Sequence, residues 1–188
     1  MHRGRRLNGS SQRGAGLIEV SVSLLVLAIG VLGLGGLQIS SKRMGYEAIQ
    51  RGEAAALAMD LLERVRINRA ELAAYSTEGL GQGSGVQSTE PEADCGAGAC
   101  SPVQLNTWDL WQWQQALDGE PIEGGAGGLV RPTACVAVSG RQITVEIAWQ
   151  GYRPLSAPVE QGDCGLGRYG ADDADRQWLQ MVSWIGAE

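Results

Sequence analysis

The 188-residue sequence has no phenylalanine and one histidine, His2. Beyond that position no imidazole exists, so Ser-His-Asp and Cys-His catalytic arrangements are excluded, as are histidine-bound zinc sites. With no Phe, the core must be filled by other large residues, and six tryptophans are present. The four cysteines form no C-x-x-C pair, which argues against a disulfide oxidoreductase and a zinc ribbon. Proline is missing from residues 15–74, so nothing there forbids one continuous helix. Acidic residues are missing from residues 1–14, which hold Arg3, Arg5, Arg6 and Arg13. Charge of either sign is missing from Val20 to Leu37.

That uncharged run is the strongest positive signal. As a helix rising about 1.5 Å per residue it reaches roughly 27 Å, close to one bilayer core. The arginines before it predict a cytoplasmic N-terminus. Just ahead of the run stands a carboxylate, Glu19, in Gly14-Ala15-Gly16-Leu17-Ile18-Glu19-Val20. A charge in such a segment costs several kcal/mol without a partner, so it marks function by default. A cleaved secretory signal would cut after the run, near Gly35, Gly36 or Ser40, but fits Glu19 badly. A plain anchor explains the length and the arginines, not the carboxylate.

Basic leader, Gly14, Glu19 five residues beyond it and the apolar run together resemble the class III signal of type IV pilins and pseudopilins. The resemblance implies that prepilin peptidase cuts after Gly14 and that the new terminus, Ala15, is methylated. Family members usually carry Phe and Thr at the first two mature positions, where this chain has Ala15 and Gly16. The freed amine gives Glu19 a role, since a carboxylate in low dielectric needs a cation. In the family it engages the amine of a neighbouring subunit and sets register during assembly. The bland alternative is a partner in the same chain, or snorkelling to headgroups.

The formal charge is −6; removing residues 1–14 takes four arginines and no acids, leaving −10. Residues 75–188 carry five arginines and fifteen acidic residues, so nucleic acid is not an expected partner. With the N-terminus inside, Cys95, Cys100, Cys135 and Cys164 face the periplasm, where disulfides persist. Three pairings are possible; the favoured one joins Cys95 to Cys100 around a small-residue loop and Cys135 to Cys164, tying a strand to a later loop.

A helical stripe of Ala48, Ala55, Ala58, Met59, Leu62, Val65 and Leu72 continues beyond the apolar run. One helix is expected from about Gly16 to Ala74, its second half amphipathic, softened by glycines such as Gly30, Gly33, Gly45 and Gly52. Residues 77–98 read as a mobile loop. Ser101, Pro102 and Gln104 spell a capping box, opening a second helix to Leu117 that stops at Asp118-Gly119. It carries Trp108, Trp111 and Trp113, for which core filling outweighs a ligand platform: Leu110, Trp113 and Leu117 inward, Trp108 and Trp111 covering the long helix or the sheet. The segment Asp109 to Leu117 resembles D-L-W-x-W-x-x-A-L of the type IV pilus modification protein PilV family of minor pilins. The run Leu24 to Leu34, ending Gly36-Leu37-Gln38, is similar to that family too.

The Gly-rich residues 119–128 lack the following helix and lysine of a phosphate loop and read as a connection. Ala134–Val138 and Gln142–Trp149 flank Ser139-Gly140 as a hairpin; residues 150–170 read as loop and Arg176–Ile185 as a last strand. Asp172, Asp173 and Asp175 lack the EF-hand order and read as solvated turn carboxylates.

The expectation is therefore an α+β, pilin-like fold: a long N-terminal helix, membrane half plus amphipathic half, packed on a small antiparallel sheet. The expected divisions are a leader (1–14), a transmembrane or filament-core half (15–39), an amphipathic half (40–74) and a periplasmic disulfide-containing head (75–188). No catalytic residue, cofactor or metal is expected. The resemblance implies a minor pilin in the inner membrane, then in a surface pilus, helping to prime assembly at or near the tip. Its implied partners are prepilin peptidase, other minor pilins, the major pilin and a tip adhesin. The alternatives are a minor pseudopilin of type II secretion and a membrane-tethered adhesin or ligand-binding module.

Overall fold

A computed structural model describes residues 15–84, 89–119, 129–152 and 162–186. The leader with Gly14, and residues 120–128 of the Gly-rich connection, lie outside the described residues. The fold is α+β as expected: α1 (Ala15–Ile67), β1 (Thr77–Leu80), α2 (Pro102–Asp118), β2 (Thr133–Ser139), β3 (Gln142–Gln150) and β4 (Arg176–Trp184). The strands form one antiparallel sheet in the order β1-β2-β3-β4. The chain divides into two units, Met1–Gly45 and Tyr46–Glu188.

Within the second unit, the later part of α1 lies against one face of the sheet. Arg51 donates to the Gln177 side chain (3.2 Å) and Arg66 to Ser183 Oγ (3.2 Å). Fifteen residues of helix at about 1.5 Å and six of strand at about 3.4 Å cover similar lengths, roughly 22 and 20 Å. Helix and β4 thus run side by side in the same direction. The core between them holds Ala54, Leu57, Ala58, Leu61, Leu62 and Val65 from α1 and Ile143, Val145, Ile147 and Trp149 from β3. Those β3 residues are the alternate set read from the sequence.

Two expectations about α1 are corrected. The α-helix ends at Ile67, and Arg69–Tyr75 is a 3₁₀ segment rather than more α-helix. Asn68 leaves helical geometry (φ −106°, ψ 44°), and its side-chain amide donates to Pro102 O (2.8 Å) and Tyr75 Oη (3.2 Å). The buried stripe is also rotated. Ala48 and Met59 are exposed, while Ala54, Leu57 and Leu61 face inward. In an alanine-rich helix two stripes compete, and the one carrying Leu57 and Leu61 buries more apolar area.

Residues 77–98 are not all loop. Thr77–Leu80 forms β1, paired to β2 with a register irregularity between Thr77 and Leu80. Four residues with a glycine show no alternation; β2 supplies the order. Helix α2 has the expected capping box, Ser101 Oγ accepting from Gln104 N (3.3 Å) and Gln104 Oε1 from Ser101 N (2.9 Å). It stops at Gly119, whose φ of 75° only glycine adopts without strain. The hairpin turn is Gly140-Arg141, one residue beyond the expected pair, and β4 ends at Trp184 rather than Ile185.

Candidate functional site

The first unit offers the chemistry singled out by the sequence. Every large apolar residue from Leu17 to Leu37 is more than half exposed, Leu32 reaching 77 %. Among the described residues α1 is the one helix long and apolar enough to cross a membrane, with a window of mean hydropathy 2.5. An apolar surface open all round the helix asks for an apolar surrounding, lipid or other helices. The serines are adapted to that. Ser21 Oγ donates to Leu17 O (2.8 Å) and Ser23 Oγ to Glu19 O (2.7 Å), so neither hydroxyl needs water. Beside Gly30, Gly33, Gly35 and Gly36 nothing lies within 4 Å of where a Cβ would stand. These positions leave room for close helix approach.

Glu19 lies on the second turn of α1 and is exposed. Among the described residues it makes no ion pair. Ala15 is the first residue of α1. The geometry therefore puts the carboxylate about one turn from the terminus that cleavage after Gly14 would create.

In the head, Cys95 bonds Cys100 and Cys135 bonds Cys164, with Cα separations of 5.5 and 5.8 Å. The second bond holds residues 162–170 against the sheet. Behind it Arg176 donates to Gly162 O and Cys164 O (both 2.9 Å), and Tyr169 Oη sits 2.9 Å from Arg131 O and Thr133 Oγ1 and 3.1 Å from Ala148 O. Burial pushes the Tyr169 phenol up from its ordinary range.

Asp173 lies in a surface turn as expected, and it is also tied to its own loop. Its carboxylate accepts from the backbone N–H of Gly167 (2.7 Å), Arg168 (3.1 Å) and Tyr169 (3.2 Å). Slight burial raises its pKa, but these bonds and the Arg176 charge outweigh it and hold the group below the usual carboxylate range. Among the described residues no cluster of His, Cys, Asp or Glu is arranged to hold a metal.

Trp113 is fully buried and donates from Nε1 to Leu57 O (2.8 Å), and Leu117 is buried beside it. Trp108 and Trp111 are half-buried and pack on each other, ring centroids 5.1 Å apart. Trp108 also lies near the Cys95–Cys100 loop, 3.7 Å from where a Cβ on Gly96 would stand.

One polar cluster escaped the sequence reading. Asp109, buried in α2, accepts from Tyr75 Oη (2.5 Å) and from Arg64 (3.2 Å), which also donates to Asp60 (2.8 Å) and Gln112 (2.9 Å). Burial and the adjacent carboxylate push the Tyr75 phenol above its ordinary range. The cluster ties α1, the 3₁₀ segment and α2 together. Its signal was there: Asp109 stands on the same helical face as Trp113 and Leu117. A second acidic feature is a cleft of about 340 Å³ lined by Glu78, Glu146 and Asp163 beside the Cys135–Cys164 bond.

Residues 36–111 match the family model of Tt1218-like proteins, described as type IV pilin Tt1218. The matched stretch starts in the apolar half of α1, crosses into the packed half and ends at Trp111 in α2; it spans less than half of the chain. No curated protein and no solved structure matches. Over those residues the chain is similar to type IV pilins, and its α+β fold with a long apolar N-terminal helix is consistent with that likeness and with membrane anchoring.

Proposed function

We propose that the chain is a minor pilin of a type IV pilus system, of the PilV kind, incorporated at or near the tip and helping to prime assembly. The observation that carries this is α1: one helix, apolar and exposed on all sides in its first half, sheet-packed in its second, with the pilin match spanning the junction. In this reading prepilin peptidase removes residues 1–14, and Ala15 becomes the methylated terminus. The first half of α1 holds the protein in the inner membrane, N-terminus inside and the disulfide-closed head in the periplasm. Its surface later packs against the helices of the major pilin and other minor pilins. Glu19 meets the cationic amine of a neighbouring subunit as that transfer occurs, because both groups would otherwise stand uncompensated in a dry environment.

Intact-mass analysis of membrane-extracted protein is the direct test. A chain beginning at methylated Ala15 is expected; an intact Met1 terminus in cells with active peptidase would refute the processed form. Glu19→Ala should leave cleavage largely intact and reduce incorporation into sheared pili by on the order of a hundredfold or more, as loss of a buried charge partner implies. Normal incorporation would reduce Glu19 to a snorkelling residue. Deleting the gene should abolish twitching and spare exoprotein secretion; the reverse would assign the chain to a secretion pseudopilus.

A further inference from the structure

Strand β4 ends the sheet, and its second edge faces no described strand. Two bonds beyond its ends reveal which backbone groups point that way. Ile185 N donates to Arg141 O (2.9 Å) and Gly151 N to Asp175 O (2.8 Å). In the observed antiparallel register these are hydrogen-bonded pairs, and every second pair between them is bonded alike. The odd-numbered residues of β4 therefore bond to β3. Trp178, Gln180, Val182 and Trp184 turn their N–H and C=O outward, where among the described residues nothing accepts or donates.

Exposed edges are usually blunted by charge, proline, bulges or shortness. β4 has nine residues in unbroken register, and from Gln177 to Trp184 it has neither charge nor proline. Both flanks of the edge are apolar. On the helix side a groove is lined by Met59, Leu62 and Met181, with Glu63 and Arg66 at its rim paired to each other. On the other side Val182 is 47 % exposed and Trp184 70 %. The side chains of a strand laid along β4 would alternate between these two surfaces.

We propose that this edge is a docking site for another protein, which adds to β4 an extended, neutral-to-basic segment whose uncharged side chains meet both flanks. Charge selects that occupant. Residues 75–188 carry fifteen acidic side chains against five arginines, so an acidic segment is repelled on approach to an edge that is itself neutral. A second copy offering its own β4 would bring another head with fifteen acidic side chains against five arginines, so the same repulsion disfavours it. A copy offering β1 brings only four residues, already irregular in register.

The test is amide hydrogen exchange on the full chain in detergent micelles. The probe is a peptide alternating threonine and valine between terminal lysines. Before it is added, the amides of Trp178, Gln180, Val182 and Trp184 should exchange at least about tenfold faster than those of Leu179 and Met181. The peptide should slow the first set by about tenfold and leave the second unchanged, and a version ending in glutamates should do markedly less. Val182→Pro removes an outward donor without touching a bond to β3, and should abolish the slowing at unchanged melting temperature. If it unfolds the head, Val182→Lys serves instead. Equal protection of both sets without peptide overturns the proposal, as does a lysine peptide that slows nothing. Protection that rises with protein concentration alone also overturns it, in favour of a second copy. None of these readouts depends on whether Ala15 is the mature terminus.

Discussion

The two halves of α1 share one backbone and one helical rise, yet they solve opposite problems. From Leu17 to Leu37 the apolar residues go all round and are all exposed. From Ala54 to Val65 they form a stripe, and Ala54, Ala58, Leu61 and Val65 are fully buried against the sheet. The second half makes a core with its own chain. The first can be buried only by something outside it, and its bonded serines, unfilled glycine positions and lone carboxylate are features of a surface awaiting that surrounding. A helix apolar all round would be a liability in a soluble domain; in the proposed pilin it separates the part that folds from the part that would assemble.

The largest effect should come from the core. Trp113→Ala removes a fully buried indole and its bond to Leu57 O, and should cost the head about 3–5 kcal/mol. Leu27→Ala, in the other half at 63 % exposure, should change head stability by less than about 0.5 kcal/mol. Chemical denaturation of both variants in micelles, followed by tryptophan fluorescence, measures the contrast. A comparable loss in Leu27→Ala would break the division between the halves.

Next come the disulfides, which separate regions within the head. Cys135–Cys164 closes a sequence separation of 29 and Cys95–Cys100 one of 5. By loop entropy, replacing both cysteines of each pair with serine should cost about 3.5 and about 2 kcal/mol respectively. Melting of the two double variants gives the order. If the small loop cost more, its contact with Trp108 would matter more than chain entropy.

Much of this division was legible beforehand. The uncharged run, the capping box of Ser101 and Gln104, and the alternation of Ile143, Val145, Ile147 and Trp149 each depend on local physics, and each appears where expected. What escaped was set by tertiary partners. β1 exists because β2 offers it an edge, and α1 ends at Ile67 because Asn68 turns its side chain to Pro102 and Tyr75. The stripe rotated because the alanine-rich segment permits two faces, and packing of Leu57 and Leu61 decided between them. Of the candidate assembly site, Glu19 and its apolar helix were readable from composition alone. Of the Asp109 cluster only the inward position of Asp109 was readable, from the helical face it shares with Trp113 and Leu117; its partners were not, because no local rule joins residues 64, 75 and 109.

The smallest effect sharpens the comparison through pH. Asp173 is tied to three backbone N–H groups, and its pKa lies below the usual carboxylate range despite opposing burial. A carboxylate more acidic in the folded than in the unfolded chain adds stability above its ordinary pKa. That stability fades as pH falls through the ordinary range to the folded value. Asp173→Asn tolerates the left-handed backbone at this position (φ 52°) but keeps one acceptor oxygen, so it gives up the charge together with the bonds to one carboxylate oxygen, as protonation of Asp173 itself would. The variant should melt slightly below the parent at about pH 7, and the gap should narrow as pH falls through the ordinary carboxylate range and close below it. Through the same titration the micelle-held half of α1 should keep its helical signal while the head loses near-ultraviolet dichroism. A gap independent of pH would show that Asn at this position costs geometry rather than charge, and the acid sensitivity of the head would then have to lie in other carboxylates.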